Sequence, residues 1–384
     1  MKSKVDDTFT ETLHVGRPNI GDKADILRRV EGVLDRLWLT NHGPSAQELE
    51  ERLADLLGVK HCIAMCNGTV ALEIAIRAMD LRGEVILPSF TFVATAHALQ
   101  WQEIRPVFCD IDPKTFCIDP QEVRRHITHE TSGIIGVHLW GRPCDTDALQ
   151  KVADEHDIPI LYDAAHAFGC RHQGRYIGNF GRAEVFSFHA TKFFNTLEGG
   201  AVATNDDELA QKIRLMKNFG FSGQDNVIYI GINGKMNEVC AAVGLSNFDH
   251  IDEFIEINRV HYEAYRKELK DIPGIELIHY PNHEKSNYQY ITVLVEEKHY
   301  GLSRDRLQEA LWAHNVRARR YFYPGCHRME PYRSLYPDSA KWLPVTEALS
   351  QKVLLLPTGT AVSQQIIVQI GRLIRSLPAG EPSR

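Results

Sequence analysis

The sequence has no apolar run that approaches the ~20 residues needed for a membrane-spanning helix. Its amino terminus, MKSKVDDTFTETLHVG, lacks the apolar core of a signal peptide. It also lacks a GxGxxG motif after the first predicted strand and a GxxxxGK[ST] motif, so the dinucleotide and nucleoside-triphosphate fingerprints are absent. We therefore predict a cytoplasmic protein without a membrane partner.

Positive charge and paired cysteines are also scarce. The chain has 43 Lys and Arg against 50 Asp and Glu, for a net charge of -7, which disfavours nucleic acid as a partner because such binding neutralises phosphates. Its eight cysteines include no CxxC pair and no matched histidine spacing. We predict buried free thiols and no metal site.

The 384 residues are enough for one large domain and a smaller one. From about residue 60 to 205, short apolar runs alternate with amphipathic helical stretches; the candidate strands are HCIAM, EVILP, RPVFCDI, GIIGVHLW, IPILYD, AEVFSF and GGAVATN. This alternation predicts an α/β fold with a mainly parallel sheet covered by helices. A long helix from residue 251 would bridge to a smaller α/β domain, so we place the division between 1–250 and 251–384.

Ligands of such sheets bind beyond the carboxyl ends of the strands, which directs attention to the residues that follow each run. Asn67-Gly68-Thr69 comes between a strand and a helix, where free backbone N–H groups and the positive helix end attract phosphate. The same three residues also fit a turn followed by a helix cap. Taken alone, this motif leaves both interpretations open.

Two further strand ends carry Asp163 and Lys192. Asp163 alone fits a helix cap, and Lys192, beside two phenylalanines, could extend its amine to solvent. Together with the phosphate cup they form a set, because pyridoxal phosphate needs a lysine for a Schiff base, a carboxylate at its ring nitrogen and phosphate donors. Gly68, Thr69 and Ser187 would bind the phosphate, and Phe92 could lie on the ring.

Five separated motifs, CNGTVAL, LPSFTFVATA, DAAHAFG, SFHATKFFNTLEGG and GKMNEVCAAVGL, stand in the order found in one known family. The chain resembles the DegT/DnrJ/EryC1/StrS sugar aminotransferases from about residue 15 to the last helix. The resemblance implies the fold type I architecture of pyridoxal-phosphate enzymes: a mixed seven-stranded sheet with helices on both faces and a small C-terminal α/β domain. It also implies a homodimer with active sites at the interface.

The resemblance assigns roles to individual residues. Lys192 matches the Schiff-base lysine, Asp163 the partner of the pyridine nitrogen, and His166 a residue that supports the other side of the ring. Gly68, Thr69 and Ser187 match phosphate contacts, Phe92 the stacking aromatic, and Asn237 an asparagine that reaches the partner subunit's cofactor. Related dehydratases have histidine in place of the lysine, so Lys192 favours transamination. The chain departs from the family in having NGT where SGT is commoner, and in Asn195–Leu197, which replace a glycine-richer stretch.

A basic and aromatic segment, VRARRYFYPGCHRMEPY, suits a nucleotide diphosphate and its base, although it also fits a solvated strand edge. The candidate substrate contacts are Arg317, Arg319, Arg320, Tyr321, Tyr323 and His327. This segment resembles that of enzymes that aminate dTDP-4-keto-6-deoxyglucose at C4 with L-glutamate as donor.

Other substrates and other classes of function remain open at this point. The same scaffold serves 3-keto sugars and UDP- or GDP-linked sugars. A nicotinamide-dependent oxidoreductase would lack a use for Lys192, and a non-catalytic sensor that binds pyridoxal phosphate would tolerate its loss.

Overall fold

The computed structural model describes residues 9–280 and 284–379, so the start of the predicted unit 1–250 and the end of the predicted unit 251–384 lie outside the described residues. The helices are α1 (Lys23–Asp35), α2 (Pro44–Leu57), α3 (Gly68–Ala78), α4 (Val93–Gln100), α5 (Pro120–His126), α6 (Thr146–His156), α7 (Asp207–Met216), α8 (Glu238–Phe248), α9 (Ile251–Leu269), α10 (Glu297–Tyr300), α11 (Arg304–Ala313), α12 (Tyr332–Leu335), α13 (Pro344–Ser350) and α14 (Gln364–Ser376).

The strands are β1 (Leu13–His14), β2 (His61–Met65), β3 (Glu84–Pro88), β4 (Arg105–Cys109), β5 (Thr131–Val137), β6 (Ile160–Asp163), β7 (Arg171–His172), β8 (Arg175–Tyr176), β9 (Ala183–Ser187), β10 (Gly200–Thr204), β11 (Ile275–Leu277), β12 (Ile291–Val295), β13 (Val316–Arg317) and β14 (Val353–Leu356). All seven strands predicted between residues 60 and 205 are present, with ends that differ by a few residues.

A seven-stranded sheet in the order β2-β10-β9-β6-β5-β3-β4 forms the centre of the molecule. Only β10 runs antiparallel to its neighbours, so the predicted mixed sheet is confirmed. Its inner strands read as nearly continuous apolar runs because helices cover both faces. One face packs on α2, α5 and α6, and the other on α3, α4 and α7.

The C-terminal part contains an antiparallel sheet in the order β11-β12-β14, packed against α9, α11 and α14. In α9 one stripe of side chains at helical spacing is buried; it consists of Ile251, Ile255, Asn258, Tyr262, Tyr265 and Leu269. Helix α14 crosses α9 closely at Gly371, where an added Cβ would lie 2.5 Å from Glu268 Cβ. Ser363 caps α14, because its side chain accepts a hydrogen bond from Ile366 N.

Several contacts cross the predicted division at 250/251. Strand β1 pairs in parallel with β13, which joins the N-terminal segment to the C-terminal part. Near β4, Trp342 Nε1 donates to Phe108 O at 3.0 Å, and Thr346 N donates to Asp110 Oδ1 at 2.8 Å. These contacts do not define a domain boundary, and the division at 250/251 stays a prediction.

The described residues hold no helix long and apolar enough to cross a membrane. Within the same residues, no group of three or more His, Cys, Asp and Glu side chains is placed to hold a metal ion. The eight cysteines are free thiols, seven of them buried and Cys66 half-buried.

Candidate active site

A cavity of about 960 Å³ lies at the carboxyl ends of β5, β6 and β9. The last residue of each strand lines it: Val137, Asp163 and Ser187. These strands run in parallel, so their ends meet at one edge of the sheet, as the sequence predicted for a ligand site.

Lys192 follows β9 and projects a half-buried side chain into this cavity. Its Nζ donates a hydrogen bond to Tyr290 Oη at 3.1 Å. Burial lowers the pKa of the Lys192 amine from 10.5 to about 8, with nearby Asp163 acting in the opposite direction. Near neutral pH, a larger share of this amine is therefore unprotonated and nucleophilic than for an exposed lysine.

Asp163 ends β6 with its side chain 7 % exposed. Its Oδ2 accepts from Thr95 Oγ1 at 2.8 Å and its Oδ1 from Ala165 N at 3.1 Å. Burial raises the pKa of the Asp163 carboxyl, while both hydrogen bonds and the charge of Lys192 oppose that rise. A cationic ring placed against this carboxylate would compensate its desolvation.

His166 lies beyond Asp163 with its ring stacked on Phe322, 5.6 Å between centroids and 9° between planes. Its Nδ1 accepts from Trp140 N at 3.2 Å, which leaves Nε2 as the N–H of the neutral ring. Burial and then the charge of Lys192 lower the pKa of His166 well below its usual value. This ring is therefore a neutral hydrogen-bond donor on the cavity wall.

The backbone at the start of α3 forms a cradle. Asn67 caps the helix by accepting from Val70 N at 2.8 Å, and the N–H groups of Gly68 and Thr69 have no intrahelical acceptor. A Cβ at Gly68 would lie 2.9 Å from Ser187 Cβ, and one at Gly200 would lie 2.7 Å from Gly68 N. The two glycines therefore let the start of α3 lie close to the ends of β9 and β10. The N–H groups of Gly68 and Thr69 and the Ser187 hydroxyl then surround a space suited to phosphate.

Phe92 precedes α4 and lines the cavity with its side chain 55 % exposed. Its ring centroid lies 6.2 Å from that of Phe322. Much of the Phe92 ring is therefore uncovered and available to a planar ligand.

Comparisons with known proteins agree with this geometry. A sequence model of the DegT/DnrJ/EryC1/StrS aminotransferase family matches residues 21–375. The chain belongs to this family.

Two curated relatives have similar sequences over most of their length. The dTDP-4-amino-4,6-dideoxy-D-glucose transaminase of Shigella dysenteriae is 41% identical over 312 residues, covering 81% of this chain and 85% of the relative. The GDP-perosamine synthase of Caulobacter vibrioides is 35% identical over 306 residues, covering 78% of this chain and 81% of the relative.

Solved structures share the whole fold. DesI, determined in the presence of its TDP-sugar product, has a TM-score of 0.93 at 47% identity and covers 97% of this chain, with 94% of DesI covered. Helicobacter pylori PseC, an aminotransferase involved in pseudoaminic acid biosynthesis, has a TM-score of 0.86 at 28% identity, with 95% of this chain and 98% of PseC covered. The predicted fold type I architecture is confirmed, and the family depends on pyridoxal phosphate.

The cavity of this aminotransferase contains seven of the eight residues predicted to hold the cofactor: Gly68, Thr69, Phe92, Asp163, His166, Ser187 and Lys192. Asn237 is the exception. It is exposed, and its Oδ1 accepts from Cys240 N at 2.8 Å to cap α8. Its predicted contact with a partner subunit's cofactor stays a prediction.

The basic segment is divided between two environments. Arg317, Arg319 and Tyr321 line the cavity, as predicted. They are alternate residues, and Arg319 forms a β-bridge with Leu355, so the segment is extended and its alternate side chains share one side.

Three predicted substrate contacts, Arg320, Tyr323 and His327, lie outside the cavity lining, and their contact with a substrate stays a prediction. Arg320 donates to Asp305 at 2.8 Å and lies over the Tyr323 ring, on the other side of the extended segment. His327 is buried, with its Nδ1 2.7 Å from Ser89 Oγ and its Nε2 against Glu347. The hydrogen bonds and ring contacts of these side chains are therefore made with other residues of the same chain.

Two segments of the lining were not predicted from the sequence: residues 14–18 near the N terminus, and Gln289 with Tyr290 just before β12. Arg17 adds a third arginine to the cavity. A tyrosine at the start of the strand ITVLV is too common a pattern to identify a site. These residues reach Lys192 only through tertiary contacts.

Proposed function

We propose that this aminotransferase uses pyridoxal phosphate to transfer the amino group of L-glutamate to C4 of a nucleotide-linked 4-keto-6-deoxy sugar. The substrate we propose is dTDP-4-keto-6-deoxyglucose, and the product dTDP-4-amino-4,6-dideoxy-D-glucose. The observation that carries the proposal is the Lys192 amine, half-buried in the same cavity as Asp163 and the cradle of α3.

The donor set fits the phosphate and the ring nitrogen of the cofactor. Two backbone N–H groups of α3 and the Ser187 hydroxyl suit the phosphate, and a Cβ at Gly68 would collide with Ser187 beside that space. The Asp163 carboxylate suits the ring nitrogen, where it would hold a proton. Bound pyridoxal phosphate supplies a carbonyl that receives the amino group and a ring that delocalises the negative charge left when a C–H proton departs.

Lys192 then has two tasks. Its amine would hold the cofactor at rest, and once the amino donor had displaced it, the same amine would accept the α-proton of that donor and later give it back. A pKa of about 8 suits this work near neutral pH. Proton transfer of this kind contributes roughly 10²–10⁴-fold to rate.

The names of the relatives support the choice of sugar. Relatives from Shigella dysenteriae and Escherichia coli, 41% and 37% identical, are dTDP-4-amino-4,6-dideoxy-D-glucose transaminases. Arg317 and Arg319 in the cavity match the need to bind a diphosphate, and Tyr321 offers a ring face for a base. With Arg17 also present, the cavity has guanidinium groups for both the nucleotide and the carboxylates of glutamate.

A GDP-linked 4-keto sugar is the second candidate, because a GDP-perosamine synthase is 35% identical. Comparing kcat/KM for the dTDP- and GDP-linked 4-keto sugars distinguishes the two. The proposal requires the dTDP substrate to be preferred.

We further propose a homodimer with shared active sites. Apolar side chains of α1 and the turn after it are exposed, namely Leu27, Leu34, Leu37, Trp38 and Leu39. Large exposed apolar patches mark association surfaces. Exposed Asn237 lies beside this apolar patch, since the next residue, Glu238, donates its N–H to Leu39 O at 3.0 Å.

Light scattering of the purified protein tests the proposed homodimer. A monomer at micromolar concentration would contradict the proposal.

Reductive trapping tests the attachment directly. Purified protein is treated with borohydride and digested, and the peptides are identified by mass spectrometry. We expect the phosphopyridoxyl group on Lys192, visible absorbance that bleaches when glutamate is added, and loss of both in Lys192→Ala. Protein without cofactor, or a group attached to another lysine, would contradict the proposal.

A further inference from the structure

The segment Asn287–Tyr290, which leads into β12, contacts both loops that flank the cavity. Asn287 is fully buried, and its Nδ2 donates to His166 O at 2.9 Å and to Phe168 O at 3.1 Å. Gln289 Nε2 donates to Thr191 O at 3.1 Å. One short stretch of the C-terminal part therefore holds the backbone of the Lys192 loop and that of the His166 loop.

Tyr290 is the residue of this segment that touches the reacting atom. Its hydroxyl accepts from Lys192 Nζ at 3.1 Å, and its ring lies 4.4 Å from the His166 ring between centroids. Its backbone carbonyl accepts from Tyr280 Oη at 2.8 Å. With its main chain and ring both held, the phenol has a fixed position relative to the lysine.

The phenol stays neutral in this environment. Burial raises the pKa of Tyr290 well above 10, and nearby Tyr321, Tyr280 and Asp163 act in the same direction. A neutral hydroxyl can accept a hydrogen bond from the lysine ammonium and can donate one to the lysine amine, so it serves both protonation states of Lys192.

We infer that Tyr290 is a catalytic residue, whose hydroxyl binds the Lys192 amine whenever that amine is not bonded to the cofactor and holds it in position for proton transfer. The inference rests on the proposed role of Lys192. Without such a site, a freed lysine with rotatable side-chain bonds would spend much of its time away from the α-carbon, and displacements of this kind cost about 10²-fold in rate.

Tyr290→Phe removes the hydroxyl and keeps the ring against His166. The first measurement is the pH dependence of Lys192 acetylation in the full-length, cofactor-free protein, with trace acetic anhydride and mass spectrometry. The groups around the amine are Asp163, neutral His166 and the arginines of the cavity. A hydrogen bond to the ammonium stabilises the charged form, so its loss should lower the midpoint by about one to two pH units.

Tyr265→Phe is the matched control. Tyr265 is also fully buried, and its hydroxyl donates to Pro357 O at 2.9 Å, away from the cavity lining. This variant should keep the parent midpoint. A midpoint in Tyr290→Phe that equals the parent's or rises would overturn the inference, whether or not Lys192 binds cofactor.

The second measurement is the single-turnover rate of cofactor bleaching by glutamate. We expect Tyr290→Phe to reduce the maximal rate constant about 10- to 100-fold with an unchanged glutamate concentration at half-maximal rate. A changed glutamate concentration at half-maximal rate, with an unchanged maximal rate constant, would mean that the phenol binds the amino donor. This result would refute its role at Lys192. Trapping of the cofactor at a residue other than Lys192 would instead show that the proposed function had failed.

Discussion

Gly68→Ala tests how closely the backbone must approach the cofactor phosphate. Gly68 opens α3, and an added Cβ would lie 2.9 Å from Ser187 Cβ and 3.3 Å from its Cα. The first of these is closer than Cβ atoms approach in well-packed proteins, so Ser187 or the start of α3 must shift. Overpacking of this kind costs about 1–3 kcal/mol. Because the shift displaces phosphate donors, we expect the dissociation constant for pyridoxal phosphate to rise about 5- to 150-fold.

The assay is a titration of cofactor-free protein with pyridoxal phosphate, followed by visible absorbance, with thermal unfolding of the cofactor-free form measured in parallel. Gly32→Ala is the control, because Gly32 lies within α1 and its Cβ would meet only Arg36 at 3.4 Å. Alanine inside a helix is about 1 kcal/mol better than glycine, so this variant should be slightly stabilised with unchanged affinity. Equal cofactor affinity in Gly68→Ala and Gly32→Ala would refute the close-approach reasoning.

Three other perturbations have defined outcomes. Buried Glu238 accepts from two N–H groups at the start of α2, at 2.8 and 2.9 Å, so Glu238→Gln should lower the free energy of unfolding in urea by about 1–3 kcal/mol. Exposed Glu48→Gln should change it little, and equal effects would contradict the capping role. Folding lowers the pKa of Lys192 from 10.5 to about 8. The buried ammonium therefore destabilises the folded protein fully below pH 8, and this cost disappears as the pH rises to 10.5. Lys192→Met should therefore stabilise the cofactor-free protein at pH 7, with the gain shrinking as pH rises from 8 to 10.5; a constant gain would point to packing alone. Arg319→Ala should raise KM for the sugar nucleotide about 10-fold or more, whereas Arg320→Ala should leave KM unchanged; the reverse order in steady-state kinetics would contradict the placement of these side chains.

Much of the fold was predictable because the pattern of burial is local. Strands such as β3 and β10 are buried along their whole length and read as apolar runs, and the stripe on α9 repeats at helical spacing. The positions of Asp163 and Lys192 followed from the rule that ligands bind at the carboxyl ends of parallel strands. The family resemblance then assigned the roles of these residues.

The rest of the site depends on contacts between distant parts of the chain. Tyr290 meets Lys192 across 98 residues, and Asn19, which follows the lining segment 14–18, binds Phe193 O across 174. No local pattern encodes such pairings. The basic segment is different: alternation along an extended chain would have placed Arg317, Arg319 and Tyr321 together and Arg320 on the opposite side.

The most direct test of the proposed function is the fate of the amino nitrogen. Purified protein is incubated with dTDP-4-keto-6-deoxyglucose and glutamate labelled in its amino nitrogen, and the sugar product is examined by NMR. We predict labelled nitrogen on C4 with the parent protein and no labelled sugar with Lys192→Ala. Nitrogen on C3, or a labelled sugar formed equally well without Lys192, would contradict the proposal.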